Sequence, residues 1–495
     1  MKKIKHRIPG ILIAIVLIAV LTVFMTIVIK TKLLPVKYIL LAGGVFLLLA
    51  GLIILLTRDI RRKGAMVCGC IITVLLVAAL LVGIPYLTKA LDTLDQISTV
   101  DVEMSYVGIY VQKDAAAQSL SDLTDSSIGI LQTQDRTNTD KTLAMVQEQI
   151  GAVEVNEYSG LNALVDGLLQ AEIDAVILNS AFMDLLADME GYASVPSQLR
   201  ELYLHQAETV LETVKENKEE QKPQKQEEKV EQAEQKKDDL VFTMYISGID
   251  SREGLIAKSR SDVNIIATVN VDKRQVLLAS TPRDFYVPLP ISDGIPDKLT
   301  HAGIYGIDVS MGTLEMLYDT QIDYYFRVNF SGFEQIIDAL GGITVYSEHE
   351  FTVGGHTYYK GNNTLNGAQA LNFARERYSF ADGDRQRGRN QMAVIKAVIE
   401  KAMSPSLLMN YTRIMDSISG SFETSMPYDM IAQLVRNQLD KGGSWNIVSM
   451  SADGTGDYQV PYSMSMEAYV MVPDQATVDA VIEKMNQVKN GEILG

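Results

Sequence analysis

Cysteine is almost missing from this 495-residue chain: Cys68 and Cys70 are the two present. Both fall in one long apolar run. The roughly 400 residues beyond that run have none, which excludes a disulfide scaffold and a thiolate metal site there. Stability must come from packed cores, and that length suffices for two domains. A Cys-Gly-Cys pair inside an apolar run is read as small-residue packing rather than as a redox pair. Basic charge is also in deficit, with 44 Lys+Arg against 61 Asp+Glu. A dense group of arginines is therefore no by-product of composition. Five of them, Arg375, Arg377, Arg385, Arg387 and Arg389, nevertheless crowd the run ARERYSFADGDRQRGRNQ.

Charge is absent altogether from Ile8–Ile29, Tyr38–Leu56 and Gly64–Thr88. Each run is long enough to cross a ~30 Å hydrocarbon core at ~1.5 Å per residue. The first exceeds the ~7–15 apolar residues of a cleaved signal, and two more spans follow it, so all three are expected to remain as anchors. Lys2, Lys3, Lys5 and Arg7 precede the first run, and Arg58, Arg61, Arg62 and Lys63 separate the second from the third. Both groups are expected on the cytoplasmic side, although the intervening loop also carries Lys30, Lys32 and Lys37. Three crossings then place everything after about residue 90 outside the cell membrane. With few residues ahead of the first run, no cytoplasmic DNA-binding module and no nucleic-acid partner are expected.

Beyond the membrane the composition divides the chain. Residues 100–210 read as a small α/β accessory domain, with strands at Val107–Val111, Ser127–Leu131 and Ile173–Asn179 and helices at Asp140–Ile150 and Leu161–Leu169. The stretch LVDGLLQAEIDAVILN resembles one lobe of periplasmic solute-binding proteins; no triad, metal spacing or phosphate loop accompanies it. Residues 211–239 are almost wholly charged or amide-bearing and form a linker. Residues 240–495 form a second domain, expected as a mixed α/β sheet flanked by helices. Strands are expected at Val241–Ser247, Asp262–Val271 and Gln275–Thr281. One helix opens at Ser331 with Glu334 and stops at Gly341-Gly342; another opens at Asn366 with Gln369; a longer one spans about Gln386 to Met403.

Three segments of this domain carry chemistry. Asp250 follows the first strand. Arg260 and Asp262 precede the second, and Arg283 and Asp284 follow the third, so a hairpin brings Arg260, Asp262 and Arg283 to one end of the sheet. In the arginine run, Arg375 and Arg377 have strand-like i, i+2 spacing, while Arg387 and Gln391 lie one helical turn apart. Guanidinium is planar and matches phosphate oxygens two at a time. Two aspartates and several arginines around one point suit a diphosphate with a divalent cation, since Mg²⁺ takes oxygen ligands, often one or two carboxylates plus phosphate and water. Val263, Ile265, Ala267, Val276 and Leu278 serve equally as ordinary core or as the lining of an apolar tunnel. His301, His349 and His356 lack metal-ligand spacing, and His301 is read as structural.

The segments SRSD, STPRDFYV and LNGAQALNFARER, together with the arginine-rich helix start and Gln391, resemble the LytR-CpsA-Psr family. The resemblance covers most of 240–495, including WNIVSMSADGTGD and YVMVPDQATV. Three spans with an accessory domain are similar to its capsular-polysaccharide branch. It implies a phosphotransferase that moves an anionic glycopolymer, capsular or teichoic-acid-like, from an undecaprenyl-diphosphate carrier to cell-wall peptidoglycan. Mg²⁺ (or Mn²⁺) would be the cofactor, and polysaccharide-assembly proteins further partners. Carried over by motif, Asp250 and Asp262 hold the metal. Arg260, Arg283, Arg375, Arg377, Arg387 and Gln391 hold the diphosphate, and Asp262, Arg283, Arg375 and Arg377 form the catalytic set. Asp384 falls at the family's acidic position. The family's short Asp-Phe-Gly-Arg step is replaced by GDRQRGRNQ, which leaves Arg385 and Arg389 as bystanders or ion-pair partners of Asp382 and Asp384. Two other readings stay open: a polyprenyl-diphosphate pyrophosphatase using water, and a non-enzymatic membrane regulator of polymer assembly.

Overall fold

The computed structural model describes residues 8–57, 61–98, 102–210, 240–249, 258–404 and 420–495. Contacts divide the chain into one compact unit of residues 1–99, 403–419 and 426–444, and a second of residues 100–402, 420–425 and 445–495. The 211–239 linker and Asp250 lie outside the described residues.

In the first unit, three apolar stretches form α1 (Ile8–Lys30), α2 (Val36–Thr57) and α3 (Lys63–Ser98). All three are long and apolar enough to cross a membrane. Leu17, Leu21, Ala50, Ile53 and Leu80 pack among them. Leu40, Leu47, Leu48 and Leu55 are 70–77% exposed, as side chains facing lipid would be.

The second unit begins with the accessory domain: β1 (Val102–Gln112), β2 (Ser127–Leu131), α4 (Arg136–Ile150), β3 (Glu154–Tyr158), α5 (Leu161–Leu169), β4 (Ala175–Asn179), α6 (Ala181–Asp188) and β5 (Leu199–Val210). Its sheet runs β3-β2-β4-β1-β5. β2 pairs in parallel with β3 and β4, while β1 runs antiparallel to β4 and β5. Every residue of β4 is buried, which is why AVILN is apolar without alternation.

The larger domain contributes β6 (Val241–Ile249), β7 (Ser261–Asn270), β8 (Gln275–Ser280), α7 (Leu299–Tyr305), α8 (Ile307–Tyr318), β9 (Tyr324–Asn329), α9 (Phe330–Ala339), α10 (Gly367–Arg375), α11 (Gly383–Ala402) and β10 (Phe422–Thr424). α12 (Tyr428–Lys441), which groups with the apolar helices, precedes β11 (Asn446–Ser451), and α13 (Gln475–Lys489) comes last. The sheet order is β10-β9-β6-β7-β8-β11, a mixed sheet in which β6/β9 and β8/β11 are parallel and the other neighbours antiparallel.

The two faces of this sheet differ. β7 alternates, sending Ile266 to one side and Ile265 and Ala267 to the other. On the Ile266 side, α7, α8 and α13 supply Leu299, Leu314, Val478 and Val481 to a core of twenty buried apolar residues. On the Ile265 side, six apolar residues, Met392 of α11 among them, are fully buried. Seven more, including Met244, Ile246, Val263 and Trp445, are half-buried. The α11 face is thus the less completely filled of the two among the described residues.

Asn366 and Gln369 close a capping box at the start of α10 as the sequence suggested. The start of α9 differs: Asn329 is the N-cap and accepts from the Gly332 amide at 2.8 Å, while Ser331 lies inside the first turn and donates to Asn329 Oδ1. An asparagine already placed at the strand end leaves Ser331 nothing to cap.

Candidate transfer site

β7 and β8 form the expected hairpin, with Ile265 opposite Ser280. Asp262, near the start of β7, therefore meets Arg283, just past the end of β8: Arg283 Nη1 donates to Asp262 Oδ1 at 2.8 Å. Thr300, in the first turn of α7, donates its hydroxyl to the same oxygen at 3.4 Å. The Leu299 and Thr300 amides donate to Phe285 O and Arg283 O, both at 2.9 Å, so the start of α7 is tied to the segment that carries Arg283. Asp284 lies 3.7 Å from Arg283 Nε and 3.6 Å from Lys298 Nζ. Lys298 and Thr300 were not singled out in the sequence; lying at the start of a short helix in KLTHAGIYG, they show no spacing that points at Asp262.

The arginine run supplies the other side. Asp384 Oδ1 lies 3.2 Å from Arg387 Nη2 and 3.5 Å from Arg377 Nη1. Arg377 also donates to the Tyr378 hydroxyl at 2.7 Å. Burial opposes the charge of Arg283, but Asp262 and Asp284 outweigh it, with Asp384 adding to them, and hold its pKa above the ordinary arginine value. Arg387 is pushed the other way, first by burial and then by the nearby charges of Arg283 and Arg377, which Asp384 and Asp262 partly offset. These couplings put Arg283, Arg377 and Arg387 in one local field around Asp262 and Asp384. The carboxylates leave the Arg387 charge net disfavoured, and a further anion bound beside it would relieve that cost.

The other predicted members make contacts of their own. Arg375 is the last residue of α10, not part of a strand: the capping box carries the helix through it, and Glu376 ends the helix in an extended conformation. Its side chain is exposed, with Cζ 4.3 Å over the ring of Phe330. Arg260 pairs with Asp188 and, at 4.0 Å, with Asp184, both on α6 of the accessory domain. Gln391 is half-buried on α11, one turn after Arg387. Arg389 pairs with Asp382, whereas Arg385 pairs with Asp453 at 2.9 Å rather than with Asp382 or Asp384. His301 is buried, its Nδ1 2.7 Å from Asp297 and 2.8 Å from the Ser463 hydroxyl, a structural tie as expected. Among the described residues no group of three or more His, Cys, Asp or Glu gathers as a metal site.

Residues 207–487, more than half of the chain, match the LytR_cpsA_psr family. The chain belongs to the LytR_cpsA_psr family. Among curated relatives, the polyisoprenyl-teichoic acid--peptidoglycan teichoic acid transferase TagU of Oceanobacillus iheyensis is 34% identical over 267 residues, covering 52% of this chain and 77% of the relative. TagU of Enterococcus faecalis is 32% identical over 250 residues, covering 50% and 80%. Among solved structures, that of B. subtilis TagV is 27% identical and covers 51% of this chain and 98% of TagV, with a TM-score of 0.43. The LytR_cpsA_psr match takes in the linker and nearly all of the larger domain. The three apolar helices and nearly all of the accessory domain lie outside it.

Proposed function

We propose that this protein is a membrane-anchored phosphotransferase that moves an anionic glycopolymer from a polyprenyl-diphosphate carrier to a peptidoglycan hydroxyl. The observation that carries this reading is the gathering of Arg283, Arg377 and Arg387 around Asp262 and Asp384, at an end of the sheet whose α11 face keeps several apolar side chains half-buried among the described residues. The guanidiniums bind the diphosphate, and the half-buried side chains Met244, Ile246, Val263 and Trp445 border the path of the prenyl chain. The relatives' names, polyisoprenyl-teichoic acid--peptidoglycan transferases, support the same substrate classes.

In the reaction, the acceptor hydroxyl oxygen bonds to the sugar-side phosphorus. The bond from that phosphorus to the bridging oxygen breaks, and the prenyl monophosphate leaves with the bridging oxygen and its electron pair. Asp262 takes the hydroxyl proton or, in its place, Asp250. Arg283, Arg377 and Arg387 hold the phosphoryl oxygens and stabilise charge as it develops on them.

A divalent cation belongs to this reading: Arg283 and Thr300 both donate to Oδ1 of Asp262, and Mg²⁺ often takes one or two carboxylates with phosphate and water. Asp262 and Asp250 would hold it, and it would neutralise charge on the diphosphate oxygens. The basic residues flanking the apolar helices favour a cytoplasmic N-terminus, with both later domains outside the membrane.

The test uses the full chain with a polyprenyl-diphosphate-linked glycan and a peptidoglycan acceptor. Glycan joined to peptidoglycan with release of prenyl monophosphate is expected, and it should depend on added Mg²⁺. Release of prenyl phosphate at full rate without acceptor would replace transfer by hydrolysis. Undiminished transfer by Arg283→Ala would overturn the site.

A further inference from the structure

Arg260 stands two residues before Asp262, about 7 Å along extended chain, yet its ion-pair partners belong to the accessory domain. Nη1 donates to Asp188, and Nε lies 4.0 Å from Asp184. Both carboxylates are on α6. That helix is not brought there by the arginine alone, because the two domains meet at several other points. The Lys258 amide donates to Met104 O at 3.0 Å. Gln134 Nε2 donates to Tyr462 O at 2.7 Å. Gly160 faces Ser465 so closely that a Cβ there would lie 1.8 Å from Oγ. Met464 and Ile304 of the larger domain are buried in the accessory core with Leu161, Phe182 and Leu185. The accessory domain is thus seated on the larger one through contacts independent of Arg260, and its seat delivers two carboxylates to an arginine next to the site.

We propose that Asp184 and Asp188 act as an accessory-domain counter-charge on Arg260, setting how tightly the transfer site holds its diphosphate. This rests on the function proposed above. A guanidinium donor engaged by a carboxylate is not available to a phosphate oxygen until that pair opens. Removing the carboxylates therefore tightens diphosphate binding. The size is modest, because Asp184 and Asp188 are 55% and 53% exposed and exposed pairs are strongly screened. Asp188 acts through Arg260 and touches no substrate; it is a positioning residue.

The experiment uses the full chain in lipid nanodiscs and compares wild type with Asp184→Asn/Asp188→Asn. Binding of a short-chain isoprenoid diphosphate is measured by calorimetry, and KM and kcat for transfer are measured separately. We expect Kd and KM to fall about two- to fivefold with kcat unchanged. The gain should shrink at high ionic strength and vanish when Arg260→Ala is added. Unchanged or weakened binding in the double variant overturns the inference, as does a gain that persists without Arg260. Asp188→Glu, which restores the charge, should return the wild-type value. Wild-type protein that binds no isoprenoid diphosphate would overturn the proposed function together with this inference. Wild-type binding with no response to the two asparagines would overturn this inference alone.

Discussion

Arg283 and Arg375 have identical side chains in different surroundings. Arg283 is half-buried, donates to Asp262 at 2.8 Å and feels Asp284 and Asp384. Arg375 lies over Phe330 at the protein surface. Arg283→Ala is expected to lower the transfer rate by about 100-fold or more, the usual effect of deleting a donor to a developing oxyanion. Arg283→Lys should recover little of it, since an ammonium cannot span Asp262 and a phosphate with two parallel donors. Steady-state transfer measurements on both variants check this. Arg385→Ala removes an exposed pair to Asp453. It should leave transfer within about twofold and unfolding stability within about 1 kcal/mol, as urea melts would show.

At the scale of elements, legibility depended on whether the determining partner was near in sequence. Leu161–Leu169 and Ser127–Leu131 appear in the structure with the bounds read from periodicity. The capping box that opens α10 is likewise a contact three residues long, and Asn366→Ala should cost about 1 kcal/mol in urea unfolding. The spacing of Arg375 and Arg377 misled because i, i+2 describes any two such residues and says nothing of backbone state; the box upstream decided for helix. Helix α7 presents a different case. Leu299 through Ile304 are all buried, and Gly303 packs so closely that a Cβ would lie 2.4 Å from Ser259 O and 3.0 Å from the Ser261 amide. Gly303→Ala must push the backbone of Ser259–Ser261, which leads into Asp262. It should lower transfer more than it lowers melting temperature, which paired activity and thermal-unfolding measurements would separate.

Across the whole second unit, the accessory and larger domains share a buried charge group that no sequence pattern announced. Arg327 on β9 pairs with Glu103 on β1 and with Glu423 on β10, all three nearly inaccessible. Arg327→Ala would leave two buried carboxylates without their cation and should cost about 3–5 kcal/mol. Burial lifts the Glu423 pKa from its ordinary 4.5 to about 7, against the pull of Arg327 and with Glu103 adding to the rise. A carboxyl with a raised folded-state pKa binds its proton more tightly when folded. Its contribution is therefore fully present below the unfolded value and is lost as pH rises through the folded one. Stability should fall between those two values, and Glu423→Gln should flatten that slope in thermal unfolding followed from about pH 5 to pH 7.5. An unchanged slope would count against Glu423 as the titrating group.

Composition and short-range pattern were sufficient for the three apolar helices, the hairpin that joins Asp262 to Arg283, and the family. Each of these depends on hydrophobic runs, alternation, caps or motifs whose parts lie within a few tens of residues. Tertiary structure alone decided which arginines share a field. Arg377 and Arg387 meet through Asp384, Lys298 reaches Asp284, Arg385 turns to Asp453, and Arg260 is taken up by a helix more than seventy residues earlier. The physical reason is that a charged side chain is flexible and selects its partner by distance in space, and that distance is set by how sheets and domains pack rather than by any local period along the chain.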